Sequence, residues 1–365
     1  MVRPRVQLEK LVVSNFRNLV AVDIDPHGEL NVVLGENGMG KTNLLEAVYL
    51  LGALRSFRTS SRREMIRHGV EGTKVTGTFG ESSAGMNCEV SIGRGGRRVR
   101  IDGKNESVVK EHFNKLPMVL FHPGNMTLAQ GGPSERRRFL DRALYQARPA
   151  YADAHQTYRR ALRSRNRLLR DRPGDSRSQR PFEAQLAESG SRIVGMRAEI
   201  VEGMKAFYRG AFARMSGSGE AGIEYRPSLS GSERDFEEAI EEGRAADEQC
   251  GHTRLGPHAD DLELEVEGRS ARRYASQGQQ RAVVLSLKVA EAKELARVTG
   301  RIPLLLLDDV SSELDSGRNR RLFELLTEVG AQVFVTTTGE EHVAVDGERK
   351  VFELVGGEVE GIREE

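Results

Sequence analysis

A chain of 365 residues has room for roughly two or three domains and a full core, and its net charge of +1 excludes any argument from overall charge toward a particular partner. No apolar run approaches the ~20 residues of a membrane span, and the opening MVRPRVQLEKLVV has no signal-peptide apolar region. Two cysteines, Cys88 and Cys250, lie far apart and outside any paired metal spacing, so unbridged thiols in a cytoplasmic setting with no membrane partner are expected.

In chain order, LEKLVVSNFRNL and VAVDID read as strands joined by a turn. ELNVVLG follows as a short buried strand through Val32, Val33 and Leu34. It runs into GENGMGKTN, residues 35–43, with the spacing G-x-x-x-x-G-K-[ST]. The next apolar residues fall at 44, 45, 48 and 51, which is helical spacing. A glycine-rich turn between strand and helix lets backbone N–H groups converge on a phosphate, and the helix N-terminus adds positive partial charge. The expected nucleotide-binding set is therefore Gly35, Glu36, Asn37, Gly38, Met39, Gly40, Lys41, Thr42 and Asn43. Lys41 reaches the β- and γ-phosphates and Thr42 holds Mg²⁺.

An arginine-rich connection, RSFRTSSRREMIRHG, leads to three strand-like runs, TKVTGTF, MNCEVSI and RRVRIDG. Their alternation predicts a small antiparallel sheet beside the nucleotide core, with Cys88 packed inside. The middle of the chain changes character. PSERRRFLDRALYQA and AYADAHQTYRRALRSRNRLLRDR read as helices, and RPGDSRSQRP as a turn between the second helix and the next. Beyond it Leu186, Ile193, Ile200 and Phe207 fall seven apart, with Met196 and Met204 between, a seam suited to a short helical hairpin. GSERDFEEAIEEGRAADE predicts an acidic amphipathic helix.

Residues 148–172 hold eight arginines against two aspartates, whereas 233–248 hold eight acids against two arginines, so a near-neutral total hides a divided molecule. Arginine clusters attract phosphate backbones, yet solvated helix faces with internal ion pairs fit these charges equally well; Arg58, Arg159, Arg160, Arg163, Arg165 and Arg167 are the candidates for DNA contact, with Arg58 equally placed to touch the nucleotide. No aromatic platform is evident among these arginines, so backbone contacts with little base readout are expected.

GPHAD, residues 256–260, reads as a turn opening a strand rather than a metal site. YASQGQQRAVVLSLKVAEA then places Ser276, Gln277, Gly278 and Gln279 at a helix start, a second turn able to hold an anion. A second phosphate-seeking turn beside one P-loop suggests that two copies share each nucleotide. In RIPLLLLDDVSSELD four leucines form a strand buried on both faces. The strand delivers Asp308 as the Mg²⁺ carboxylate and Asp309 as the group that orients or deprotonates water, so Asp309 and Lys41 are the expected catalytic pair.

With GENGMGKT, SQGQQ, LLLLDD and SSELD in this order, the chain resembles ABC-type ATPases. Through FRN, SFRTS, GPSERRRFLD, GPHADDL and YASQGQQR it resembles the RecF family, a relative of SMC proteins, over essentially its whole length. The resemblance implies an α/β fold: an ABC-type P-loop ATPase head, built from a mixed sheet with flanking helices and a small antiparallel sheet, over 1–133 and 252–365, with an inserted helical lobe over 134–251. It implies ATP and Mg²⁺ as cofactors, and an ATP-dependent homodimer in which Ser276 and Gly278 meet the γ-phosphate held by the other subunit. It also implies Ser311, Ser312 and Asp315 as an interface loop, and Thr336 to Thr338 where other ABC proteins carry a switch histidine. It further implies binding of double-stranded DNA and single-strand/duplex junctions near the nucleoid, RecO and RecR as partners, and indirectly RecA loading in gap repair.

Asp309 stands where many ABC ATPases have glutamate, and His122 in FHPGN is a weak stand-in for the usual glutamine, so slow hydrolysis is expected. The rival reading, the ATPase subunit of an ABC transporter, would have a shorter insertion than the 235 residues between Lys41 and Ser276. A small-molecule kinase would not need the Ser276 turn, and a three-heptad seam is far too short for a long-armed SMC protein.

Overall fold

The computed structural model describes residues 3–81, 85–105, 114–217, 219–310, 314–343 and 347–364. An antiparallel sheet has the order β2 (Leu19–Ile24), β1 (Val6–Phe16), β4 (Thr73–Glu81), β5 (Met86–Gly93), β6 (Gly96–Ile101) and β7 (Lys104–Asn105). The three strand-like runs thus extend a larger sheet that begins with the first two strands. Cys88 on β5 is fully buried, and burial pushes its thiol up to about 12.

The second sheet carries the nucleotide motifs. Its order is β15 (Glu358–Glu364), β14 (Arg349–Val355), β3 (Leu30–Leu34), β13 (Val333–Thr337), β12 (Leu304–Asp308) and β8 (Met118–Phe121). All neighbours are parallel except β14 and β15. Its central strands are apolar and buried on both faces, as in sheets covered on two sides. The register pairs Leu34 with Thr337, Asp308 with Thr336, and Leu307 with Phe121. The ends of four strands therefore lie along one edge, the place where open α/β sheets bind ligands.

Helix α1 (Lys41–Ala53) lies between the two sheets and is buried nearly all round, so its apolar residues spread over every face. On the other side of the parallel sheet pack α2 (Pro133–Ala147), α3 (Pro149–Asp171), α4 (Ser176–Ser216), α5 (Glu233–Cys250), α6 (Gln277–Thr299) and α7 (Ser316–Thr327). The turn after α3 is shorter than RPGDSRSQRP suggests. Asp175 caps α4 by accepting from the Ser178 amide at 3.1 Å, and the helix runs on through Pro181. Close to an N-terminus, a proline removes one backbone bond without ending the helix.

The resulting helix has 41 residues, spanning about 60 Å at the α-helical rise. Leu186, Ile193, Ile200 and Met204 on it are buried, with Met196 and Phe207 partly so. This face packs on α3 and also on α5 and α6, so these helices share one core with the parallel sheet. A third sheet reinforces the joint: β9 (Ala221–Arg226), from inside the insertion, pairs antiparallel with β10 (Asp261–Val266), which pairs with β11 (Arg269–Ser270). No helix among the described residues is long and apolar enough to cross a membrane.

Candidate nucleotide site

The loop 35–40 leaves β3 and enters α1 through Gly40, which has φ 112° and offers no side-chain cap to the first helical amides. A side chain at Gly40 would meet Asn18 Oδ1 at 2.7 Å, so both the left-handed backbone and the close approach require glycine. Lys41 is buried and donates to the carbonyls of Gly35 at 2.6 Å and Glu36 at 3.0 Å, which folds its ammonium over the loop. Burial pulls its pKa down, while Asp309 and Asp308 oppose the shift.

Thr42 Oγ1 donates to Asp308 Oδ1 at 2.8 Å, joining the first turn of α1 to the end of β12. Thr336 Oγ1 donates to the same oxygen at 2.9 Å and accepts from the Asp309 amide at 3.0 Å. Burial pushes the Asp308 carboxyl above the ordinary range, and the Thr42 and Thr336 hydroxyls pull it back. An all-oxygen pair of one hydroxyl and one carboxylate suits Mg²⁺, which takes one or two carboxylates together with waters and substrate phosphates. The described residues hold no cluster of three His, Cys, Asp or Glu side chains able to cage a metal alone. Asp309 has φ 50°, a left-handed conformation unusual for aspartate, and follows directly on Asp308. Thr336 is thus committed to bracing the two aspartates, and Thr337 Oγ1 donates to the Gly339 carbonyl. Only Thr338 of the three is exposed.

A second layer orders the loop. Glu46 on α1 is fully buried and receives the Arg17 guanidinium, with one bond of 2.7 Å, and the Ser56 hydroxyl. Arg58 Nη1 donates to Asn43 Oδ1 at 2.7 Å and lies 3.5 Å from Glu46. Asn43 donates to Asn18 at 2.6 Å, and Asn18 donates to the Gly38 carbonyl at 3.2 Å. FRN and SFRTS therefore meet on the P-loop helix. Glu46 escapes sequence reasoning because it reads as one polar residue in an apolar helix. Its signal is its place one turn from Thr42, with arginines in both flanking segments.

At the far side of the sheet edge, His122 follows β8 and takes the position beside β12. Burial and the charges of Lys288 and Arg142 lower its pKa to about 4. Ser276 caps α6: its Oγ accepts from the Gln279 amide at 3.3 Å, and its own amide donates to Gln279 Oε1 at 2.9 Å. Ser276 and Gln277 are exposed, and Gly278 lies against the Arg318 guanidinium at the start of α7. Among the described residues no hydrogen bond or ion pair links 276–279 to 35–43. Asp315 accepts from the Arg318 amide at 2.9 Å and caps α7, whereas Ser311 and Ser312 lie outside the described residues.

The arginines of α3 divide by face. Arg159, Arg160, Arg163 and Arg167 are exposed. Arg165 is a correction: it is fully buried, with Nη1 donating to Asp247 at 2.6 Å and Thr253 at 2.8 Å and Nε donating to Glu183 at 3.2 Å. It is unavailable to DNA. GPHAD also has an internal task. Arg197 bridges Asp141 at 2.7 Å and Asp260 at 3.1 Å, and Arg136 forks onto Asp261 with two bonds of 2.8 Å. His258 meets Tyr158 at 2.6 Å and the Thr253 carbonyl at 2.9 Å. GPSERRRFLD and GPHADD therefore join the insertion to the head.

Comparison with known proteins agrees with this architecture. The family model of the RecF/RecN/SMC N-terminal domain matches residues 7–355. A DNA replication and repair protein RecF of Anaeromyxobacter sp. (strain Fw109-5) is 41% identical over 97% of this chain and 99% of its own length. That of Myxococcus xanthus (strain DK1622) is 40% identical over 91% of each. The recombination mediator protein RecF–ATP of the RecFOR pathway superposes with a TM-score of 0.87 at 28% identity, covering 99% of this chain and 98% of that one. An Smc head from Pyrococcus furiosus, at 17% identity and a TM-score of 0.60, shares the fold. The chain belongs to the RecF/RecN/SMC N-terminal domain family and, within it, to the RecF proteins.

Proposed function

We propose that the chain is an ATP-gated DNA clamp that acts as a recombination mediator in DNA replication and repair. ATP joins two subunits, each lending its P-loop to one nucleotide and its Ser276 turn to the other. The observation that carries this reading is the exposed, serine-capped start of α6, which among the described residues makes no hydrogen bond or ion pair to 35–43 and can serve the P-loop of a second copy. Gly35 to Asn43 hold the phosphates, Thr42 and Asp308 hold Mg²⁺, and Ser276, Gln277, Gly278 and Gln279 close the site from the partner. Lys41 neutralises the β- and γ-phosphates, and Asp309 orients the attacking water. Its side chain is one methylene shorter than glutamate, which supports slow hydrolysis that resets the clamp.

Exposed Arg159, Arg160, Arg163 and Arg167, with Arg58 nearer the nucleotide, support binding of duplex DNA and single-strand/duplex junctions through the backbone. The RecFOR pathway named for a RecF relative supports RecO and RecR as partners, and the proposal extends to RecA loading in gap repair and a cytoplasmic, nucleoid-associated location. Sedimentation velocity with and without ATP and Mg²⁺, repeated with a duplex, tests the reading. A monomer-to-dimer shift that needs ATP is expected. A chain that stays monomeric with ATP, Mg²⁺ and duplex together rules the clamp out.

A further inference from the structure

A large cavity lies beside the P-loop helix, with Tyr49 of α1 in its wall and Arg58 of its lining donating to Asn43 at 2.7 Å. It holds about 590 Å³ and opens between residues 54–62, the end of β8, α2 and α6. Seven cations line it against two carboxylates, and both carboxylates are already taken. Glu135 accepts from Arg138 at 2.6 Å, and Glu291 pairs with Lys288. Arg55, Arg62 and Arg142 have no carboxylate partner among the described residues. Their field reaches their neighbours: Arg62 helps lower Arg97, and Arg142 helps lower His122 and Lys288. Cations gathered without counter-charges repel one another, and a bound anion relieves that repulsion.

The same wall carries rings. Phe57 stands edge-on to Tyr49 at 5.5 Å and tilted to His122 at 5.4 Å, and all three line the cavity. Its size is that of a small-ligand pocket and will not take a duplex. We infer that this cavity is a second phosphate site which takes one nucleoside phosphate, with the base against Phe57 and the phosphate among Arg55, Arg62 and Arg142. The nucleotide comes from an unpaired DNA strand or from a free nucleotide. Phe57 lies between Ser56 and Arg58, whose side chains reach Glu46 and Asn43 on α1, so occupancy bears on the P-loop helix. Only the strand as source rests on the DNA-binding reading above.

The test uses the full chain and fluorescence anisotropy. The probes are a labelled single strand of about twelve nucleotides, its duplex, and a labelled deoxynucleoside monophosphate. Arg55 and Arg62 are exposed, so Arg55→Gln with Arg62→Gln leaves the core intact, and Arg142→Gln serves as a second variant. The double variant should lose about tenfold or more in single-strand or monophosphate affinity, change duplex affinity by less than about twofold, and keep ATP-driven pairing. Displacement of the strand by unlabelled monophosphate marks a free nucleotide as the ligand, and displacement by strand alone marks a strand. Each of these supports the site. A chain that binds the monophosphate through these arginines but no DNA keeps the cavity site and sinks the DNA reading. Unchanged affinity in both variants, or equal loss for strand and duplex, overturns the inference.

Discussion

Asp308 draws two hydroxyls onto one oxygen, and that single atom organises the site: Thr42 ties it to the P-loop helix and Thr336 ties it to the backbone of Asp309. Lys41→Ala removes the ammonium folded over the loop, and nucleotide affinity should fall at least about tenfold by calorimetric titration. Asp309→Asn keeps the shape but not the charge, so ATP-driven dimers should persist longer after dilution than those of the wild type; a faster decay would remove Asp309 from the hydrolytic step. His122 makes a pH prediction. Its folded value is about 4, below the ordinary histidine value, because burial and nearby cations disfavour the imidazolium. Between those two values the unfolded chain binds the extra proton, so stability present at neutral pH is lost as pH falls through that window. Urea unfolding near pH 7 and near pH 5 should show the wild type losing up to about 2 kcal/mol more than His122→Gln. Equal losses would mean that His122 titrates normally.

Among the elements, α3 shows how much a charge pattern conceals. Its arginines look alike in sequence, yet five face solvent and Arg165 is sealed between α4 and the end of α5. The signal was available: Arg165 shares a helical face with Tyr158, Ala161 and Leu169, all buried. Removing one member of a buried charge group strands the others, so Arg165→Leu should cost about 3–5 kcal/mol by urea unfolding and spare the DNA affinity of the folded fraction. Lost DNA affinity at unchanged stability would return Arg165 to the DNA-contacting set. The loop 35–43, the LLLLDD strand and the Ser276 cap were legible because each is a local pattern with its own backbone requirement. The partners of Glu46 were not, since Arg17 and Ser56 approach α1 from segments the chain brings together only on folding. β9 was also missed, because six residues beside a glycine-rich run carry little periodicity until β10 supplies their ladder.

At the scale of the whole molecule, the helices α2 to α5 share one core with α6 and the parallel sheet. Motifs distant in sequence, GPSERRRFLD and GPHADD, close their joint through Arg136, Arg197, Asp260 and Asp261. From the strand that carries Asp261, the chain passes through β11 directly to the Ser276 turn. Among the described residues, the two turns of the proposed shared site, 35–43 and 276–279, share no hydrogen bond or ion pair within one chain. That makes the trans arrangement the central claim, and mixing two defective proteins tests it directly. Lys41→Ala disables one chain's P-loop, and Ser276→Arg disables the other chain's closing turn. A mixed pair concentrates both defects in one site and leaves the second site intact. ATP hydrolysis measured on each variant alone and on the equimolar mixture should be near background alone and partly restored in the mixture. A mixture no more active than its parts would contradict a nucleotide shared between two subunits.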